Sequence, residues 1–399
     1  MGLRMAVKRL SAVEIDSARS NQHEFHAGRL RKELELPDHR VEGVLSCLIL
    51  GPDGSQPVVD EASFTLYDAR EGNPARAAEW HLYYASKQLP EMATAGDLLV
   101  LYRHGSNLRA VVAPSGSSAE RRLLDAMNLG DSAIETAFQF LDAPVPDASE
   151  AERVASQLAL PLAEEGAYEI TTHEVFERAL KDGHLPPARD MAIAAADILR
   201  TKGQALLDPD DYLTAALAVE TDLYFGIERH IHSARLEAMI AARPSVAEVI
   251  DFALAVQQSR RSRRGQSLQN HFAEVLRRER IPFSAQCRTE PGETPDFVMP
   301  GCDAYHDATY PEARLRMVAC KSTAKERWRQ VLHEAARVPE KYMLTLDPDL
   351  TDSTLQTMAN AAVFAFMPRD LLDLHYGSAP DPIAPRPVGS LIELLREVL

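Results

Sequence analysis

The chain has 399 residues, 45% of them hydrophobic and 26% charged, with a formal net charge of −16. That length accommodates two ordinary domains, and the sequence holds no run of about 18 apolar residues to span a membrane. The N-terminal stretch MGLRMAVKRLSAVEID lacks the apolar centre of a secretory signal and carries acids early, so a cytoplasmic protein is expected.

Residues 1–165 read as a β-rich module ending in a linker. Leu45–Leu50, Asp97–Tyr102 and Asn107–Ala113 are strand-like apolar runs, separated by turn formers such as GPDG and APSGSS. Ser118–Leu129 reads as a helix, and Asp142–Glu165, rich in Pro, Ala, Asp and Glu, as a linker with a short helix. Residues 166–399 form the second expected domain. Its first part, to about 258, is mostly helical: Thr172 and Glu174 cap an amphipathic run, Asp208 opens a second helix and Ser245 a third. These helices are expected to dock on the second domain's core or on a partner subunit. Beyond 265 the pattern alternates. Ser267–Glu279 is a helix, Phe283–Arg288, Asp296–Met299 and Arg316–Cys320 are strands, and Lys325–Arg337 is a helix. Tyr342–Leu346 and Ala361–Phe366 are further strands, closed by the helix Leu391–Leu399. Such alternation predicts an α/β (α+β) mixed central sheet flanked by helices on both faces.

The acidic total does not exclude a nucleic-acid partner, because binding depends on where charge sits. Residues 259–280 carry seven arginines against two glutamates, among them Arg260, Arg261, Arg263 and Arg264. Residues 314–329 carry six Lys/Arg against Glu326 alone. A solvated helix face explains either run singly; two runs flanking one acid–lysine constellation favour a groove for an anionic polymer. The four cysteines, Cys47, Cys287, Cys302 and Cys320, include no CxxC pair, so they are expected to be buried free thiols rather than zinc ligands.

The constellation is Pro295-Asp296, Lys321 and Glu334. Phosphodiester hydrolysis uses a divalent ion on hard oxygen ligands to polarise the phosphate and acidify a bound water, with a lysine to orient the water and offset charge. The usual nuclease pattern is P-D, a gap, then (D/E)-x-K. Here Ala319 stands two residues before Lys321, where the second acid is expected. On the helix Lys325–Arg337, taking Arg327 as 0°, Trp328, Val331, Leu332 and Ala335 form an apolar stripe spanning roughly 40–140°, and Glu334 falls at about −20°, on its edge. Glu334 is therefore expected to supply the missing acid, with an ordinary exposed helix glutamate as the alternative. Lys325, Glu326 and Arg327 open the same helix. Arg or Lys donates to guanine O6 and N7, and Glu accepts from cytosine N4, so the triplet suits C·G readout. A solvated charged helix start is the alternative. Tyr305, between the two active-site strands, is placed to hydrogen-bond a phosphate or a catalytic group, and His306 is read as structural.

At these residues the chain resembles type II restriction endonucleases of the EcoRII family (type IIE). The resemblance rests on SRRSRRGQSLQNH (259–271), TPDFVMPG (294–301), AYHD (304–307), LRMVACKSTAKERWRQVLHEA (315–335) and YMLTL (342–346). It is weaker at Val7–Ser11, Leu82–Tyr84 and Asn107–Ser115, which resemble that family's N-terminal DNA-binding pseudobarrel. The resemblance implies a restriction-endonuclease-like PD-(D/E)XK core behind a β-rich pseudobarrel domain that binds a second DNA site. It implies Mg²⁺ on Asp296 and Glu334, catalysis by Asp296, Lys321, Glu334, Tyr305 and Lys325, and readout of a CC…GG (CCWGG-like) site by Lys325, Glu326 and Arg327. It further implies a dimer on double-stranded DNA, 5′-phosphate products and a cognate cytosine methyltransferase. Two departures stand out: Gln269 occupies a position where relatives often carry an additional acid, and no Trp-Gly-rich loop follows Tyr84. A decayed, DNA-binding regulator is the alternative that Gln269 favours, and a repair or mobile-element nuclease shares the same site. A protein scaffold has no use for Asp296, Lys321 and Glu334 at these spacings.

Overall fold

The computed structural model describes all residues except 1–2, 16–22, 52–56, 73–75, 87, 130–133, 159–173, 205, 325–326, 377–382 and 399. The chain forms two compact units, one of residues 1–165 with 232–261 and the other of 166–231 with 262–399. Both later crossings between units fall inside long helices, Pro209–Ala241 and Val246–Arg278.

The first unit is built on an eight-stranded sheet. Its strands are β1 (Arg4–Arg9), β2 (Glu24–His26), β3 (Val41–Ile49), β4 (Val58–Asp68), β5 (Trp80–Tyr84), β6 (Leu98–His104), β7 (Asn107–Ala113) and β8 (Gln139–Asp142), in the order β2-β5-β4-β3-β7-β6-β1-β8. Side chains alternate across a strand, and here both faces are apolar. Met5 and Val7 enter one core, with Leu123, Val154 and Ile250 from helices, while Ala6 enters the other, with Phe25, Phe64 and Leu82. The second core lies inside the sheet's curl. Phe25 on the edge strand β2 meets Phe138, next to the opposite edge strand β8, with ring centroids 5.7 Å apart. Arg29, following β2, lies 4.9 Å over Phe140 of β8. The sheet is thus rolled into a half-barrel. The three expected strands are present as β3, β6 and β7. β4 escapes an apolar-run reading because Asp60 and Glu61 interrupt it, yet Ala62, Phe64 and Leu66 point to one buried face at period two.

The second unit holds a six-stranded mixed sheet: β9 (Ser284–Ala285), β10 (Phe297–Met299), β11 (Arg316–Lys321), β12 (Lys341–Thr345), β13 (Val363–Met367) and β14 (Arg386–Pro387), in the order β14-β13-β12-β11-β10-β9. β9, β10 and β11 pair antiparallel, and β11 to β14 run parallel. Parallel strands are buried on both faces, which is why every residue of β12 is buried. On β11, Val318 and Cys320 pack with Phe272 and Leu276 on one side, and Met317 and Ala319 with Trp328 and Val331 on the other. Burying a side chain such as Leu344 contributes roughly 1.5–3 kcal/mol, so Leu344→Asp would unseat β12 between its neighbours.

Two helical expectations change. The helices expected at Ser245 and Ser267 are one helix, Val246–Arg278, which runs through the arginine cluster and Gly265. Arginine is a good helix former, and a single interior glycine costs only about 1 kcal/mol. The helix expected over Lys325–Arg337 is reduced to Trp328–Val331.

Candidate active site

Asp296 lies at the entry to β10 and is 6% exposed. The antiparallel register sets Phe297 opposite Val318, which brings the Asp296 carboxylate beneath the main chain of β11. Its Oδ2 accepts the Cys320 amide at 2.7 Å. Its Oδ1 accepts the side-chain amides of Gln269 at 2.8 Å and Gln286 at 3.1 Å. Lys321 ends β11, and its Nζ stands 3.5 Å from Asp296 Oδ2 and 3.5 Å from Glu334 Oε1. The three residues singled out from the sequence therefore converge on one ammonium. Ala319 is fully buried in the apolar layer containing Trp328 and Met343, so an acid at that position would be costly there.

Glu334 arrives by a different route from the one helical geometry predicts. It lies three residues beyond the short helix Trp328–Val331, at a bend. The amides of Leu332, His333 and Glu334 bond carbonyls three residues back, at 3.2–3.3 Å, and Ala335 then takes φ 50°. Tertiary groups capture what the helix would have used. Lys341 Nζ donates to the carbonyls of Glu334 and, at 3.0 Å, of Ala335, and Glu290 Oε1 accepts the Ala336 amide at 3.0 Å. Glu334 is 7% exposed. Burial, aided by Asp296 and opposed by Lys321, holds its carboxyl above the usual carboxylate range. Its Oε2 is buried with no hydrogen-bond partner among the described residues.

That orphaned oxygen, together with Asp296, makes a hard-oxygen donor set beside a lysine. Such a pair fits Mg²⁺, which takes one or two carboxylates and fills its remaining positions with water and phosphate oxygen. An added cation would also relieve the burial that raises the Glu334 carboxyl.

Tyr305 is placed in a buried network beneath the Glu334 turn. Its hydroxyl donates to Glu290 and accepts the Arg337 amide at 3.3 Å, while Arg337 Nη1 donates to the Tyr305 carbonyl. Burial pushes the Tyr305 hydroxyl up to about 12. Burial also acts to raise Glu290, but hydrogen bonds from Tyr305, Thr289 and the Ala336 amide outweigh it and leave that carboxyl lowered.

The basic residues divide. Arg261 Nη1 donates to the Val59 carbonyl at 2.7 Å. Arg263 donates to the Pro186 carbonyl and lies 4.6 Å over the Tyr224 ring, and burial lowers its pKa. Arg260 is half-buried and Arg264 exposed. Arg327 is exposed and caps the short helix, so it does not begin a long one. Lys325 and Glu326 lie outside the described residues, as does Thr172.

The cysteine expectation is corrected in part. Cys287 and Cys302 are joined in a disulfide, with their Cα atoms 5.7 Å apart, and only Cys47 and Cys320 are buried free thiols. His306, whose Nε2 is 3.1 Å from the Arg288 carbonyl, neighbours this disulfide, but bonded sulfurs offer no thiolate to a metal. A separate His–Glu cluster able to hold a metal ion, His26, Glu79 and His81, lies in the first unit.

Gln286, Glu290 and Lys341 were not singled out from the sequence. Lys341 carried a usable sign. A lysine opening an apolar strand, KYMLTL, must find acceptors if it is buried.

Three comparisons bear on this geometry. Residues 224–379 match the family model described as EcoRII C terminal. The type II restriction enzyme EcoRII of Escherichia coli is 34% identical over 167 residues, 41% of this chain and 40% of that enzyme. The type II restriction enzyme SsoII of Shigella sonnei is 30% identical over 125 residues, 29% of this chain and 40% of the relative. The matched stretch thus spans about two-fifths of each of these curated relatives. Among solved structures, metal-depleted Ecl18kI in complex with uncleaved DNA aligns with TM-score 0.46 and 20% identity, over 56% of this chain and 83% of that one.

Proposed function

As the chain belongs to the EcoRII family of type II restriction endonucleases, with a mixed α/β core of the PD-(D/E)XK kind behind a half-barrel β domain, we propose that it is a site-specific, Mg²⁺-dependent endonuclease of double-stranded DNA. The observation that carries this reading is the convergence of Asp296 and Glu334 on Lys321 Nζ, 3.5 Å from each. Mg²⁺ held by Asp296 and Glu334 would supply Lewis-acid polarisation of the scissile phosphate. The chain's own groups do the rest. The Cys320 amide and the two glutamine amides fix the Asp296 carboxylate. Lys321 holds an ammonium where negative charge builds on the phosphate, and the network through Lys341, Glu290 and Tyr305 sets the turn that presents Glu334.

The finer reading follows the family. The target is a CC…GG, CCWGG-like site whose outer C·G pairs are read by Lys325, Glu326 and Arg327. The arginine run Arg260, Arg261, Arg263 and Arg264 contributes phosphate contacts. Arg261 and Arg263 would have to exchange their carbonyl partners to do so. The products carry 5′-phosphates. The working form is a cytoplasmic homodimer paired with a cytosine methyltransferase, and the domain of residues 1–165 binds a second DNA site. No helix among the described residues is long and apolar enough to cross a membrane.

Digestion of a sequenced plasmid carrying several CC…GG sites, with Mg²⁺ and end-mapping of the fragments, tests the proposal; intact, unmethylated plasmid after exhaustive incubation would sink it. The Gln269 amide bonded to Asp296, where an additional acid is expected, favours one competing reading, a regulator that binds DNA without cutting. Sequence-specific binding without cleavage in Mg²⁺ or Mn²⁺ would establish that reading instead.

A further inference from the structure

Two Glu-x-His triplets, Glu24-Phe25-His26 and Glu79-Trp80-His81, meet at their histidines across the β2–β5 pair of the first unit. The antiparallel register sets His26 directly opposite His81. Side chains alternate at period two, so Phe25 turns into the apolar core, where Trp80 also packs, while both glutamates and both histidines share the opposite face. One donor atom each from His26, Glu79 and His81 lies within 4.8 Å of the others. The imidazole rings of His26 and His81 are 4.9 Å apart by centroid.

The surroundings are those of a metal-ligating histidine. Such a histidine typically turns its second ring nitrogen to a carboxylate, which is itself held by a further hydrogen bond. His81 Nε2 lies 3.6 Å from Glu79 Oε1, and on the other side of the ring Nδ1 lies 3.0 Å from Glu24 Oε1. Glu24 Oε2 in turn accepts the Tyr67 hydroxyl at 2.8 Å. Arg70 Nη2 pairs with Glu79 Oε2 at 2.5 Å, leaving Oε1 to face the histidines. The His81 side chain is only 12% exposed, yet neither ring nitrogen completes a well-aligned hydrogen bond among the described residues.

We infer that His26, Glu79 and His81 form a binding site for a divalent transition-metal ion of the zinc class, with Glu24 and Tyr67 orienting His81. Imidazole and carboxylate together select such ions over Mg²⁺ or Ca²⁺. Donors of a tetrahedral zinc site stand roughly 3.3 Å apart. The exposed His26 and the half-exposed Glu79 can close the remaining gap by side-chain rotation, while the β-ladder stays fixed. Three protein ligands leave the fourth position to water. The ion would pin the three-residue edge strand β2 to β5, a pairing otherwise held by a short ladder. The site shares no residue with the nuclease centre, so it does not depend on the proposed activity.

The test is calorimetric titration of the full-length, EDTA-stripped protein with ZnCl₂, repeated with Co²⁺ while visible d–d absorption is followed. About one equivalent is expected per chain, and Asp296→Asn should leave that equivalent intact. His26→Gln and Glu79→Gln, both at accessible side chains, should each weaken binding at least about tenfold, and Tyr67→Phe by about tenfold through loss of the outer hydrogen bond. Zinc should raise the unfolding temperature of the parent and not that of a His26→Gln/His81→Gln double variant. Absence of a stoichiometric site, or a site that survives the double variant unchanged, overturns the inference.

Discussion

The buried ammonium of Lys341 donates to the main-chain carbonyl of Glu334, and so a residue that opens the neighbouring strand sets the position of the acid proposed as a metal ligand. Lys341 is 7% exposed; burial lowers its pKa, with Glu290 and Glu334 opposing. Lys341→Met keeps most of the packing but leaves two carbonyls without their donor. Each buried group left unsatisfied costs about 1–3 kcal/mol. The variant should unfold at lower denaturant concentration and lose cleavage rate while keeping specific DNA affinity, as urea titration and a gel-shift assay would measure. An unchanged cleavage rate would remove the positioning role.

Asp296→Ala and Lys321→Ala remove the proposed metal ligand and the proposed phosphate-facing ammonium. Electrostatic groups of this kind are worth about a hundredfold or more in rate. Both variants should cut at least about a hundredfold more slowly than the parent yet shift a CC…GG duplex at similar protein concentration. Equal losses in binding and in cutting would contradict the assignment.

Glu334 predicts a pH-dependent stability. Its carboxyl is raised above the usual range, mainly by burial. The native state therefore keeps this proton over a window in which the unfolded chain has released it. The associated stability is full below the unfolded pKa and is lost as pH rises through the folded one. Glu334→Gln fixes the neutral form. Without divalent ions, the variant should melt higher than the parent near pH 8 and at the same temperature near pH 3, well below the ordinary carboxylate value of about 4.3. Thermal melts at the two pH values decide it. A variant no more stable at the higher pH would show that Lys321 already compensates for the burial.

Gln269→Glu places an acid at the position where the family resemblance leads one to be expected. Its carboxylate would stand where an amide now donates to Asp296 Oδ1 at 2.8 Å. Like charges at that separation repel. The metal-free variant should melt lower than the parent, and Mg²⁺ should recover the loss and bind about tenfold more tightly. Calorimetric Mg²⁺ titration beside melting curves with and without the ion checks this, and weaker Mg²⁺ binding would show that Gln269 is better suited to the site than an acid.

Much of the second unit was legible locally. Asp296–Met299, Arg316–Lys321 and the buried strand through Leu344 announce themselves as short apolar runs, because parallel strands must be apolar on both faces. Asp296 and Lys321 stood out because Pro295-Asp296 and Lys321 supply the two ends of the P-D, gap, (D/E)-x-K spacing. The first unit was read less completely. β4 is interrupted by Asp60, which is buried, and the exposed Glu61, and β2 and β8 are only three and four residues long, so hydrophobicity marked these strands weakly.

By itself, the sequence determined which strands are buried, where the basic runs lie, and that an acid and a lysine flank the central pairing; these follow from side-chain chemistry at fixed periods. Tertiary structure decided the rest. A helix-like run continues only if its carbonyls and amides have no better partner, and Lys341 and Glu290 supply better ones, so Glu334 reaches Lys321 from a turn instead of a helix face. Arg261 and Arg263 look free in sequence but are drawn to the main-chain carbonyls of Val59 and Pro186. Cys287 and Cys302 pair at a sequence separation of 15, with Cα atoms 5.7 Å apart. Each of these outcomes depends on a contact between residues far apart in the chain, which no local pattern encodes.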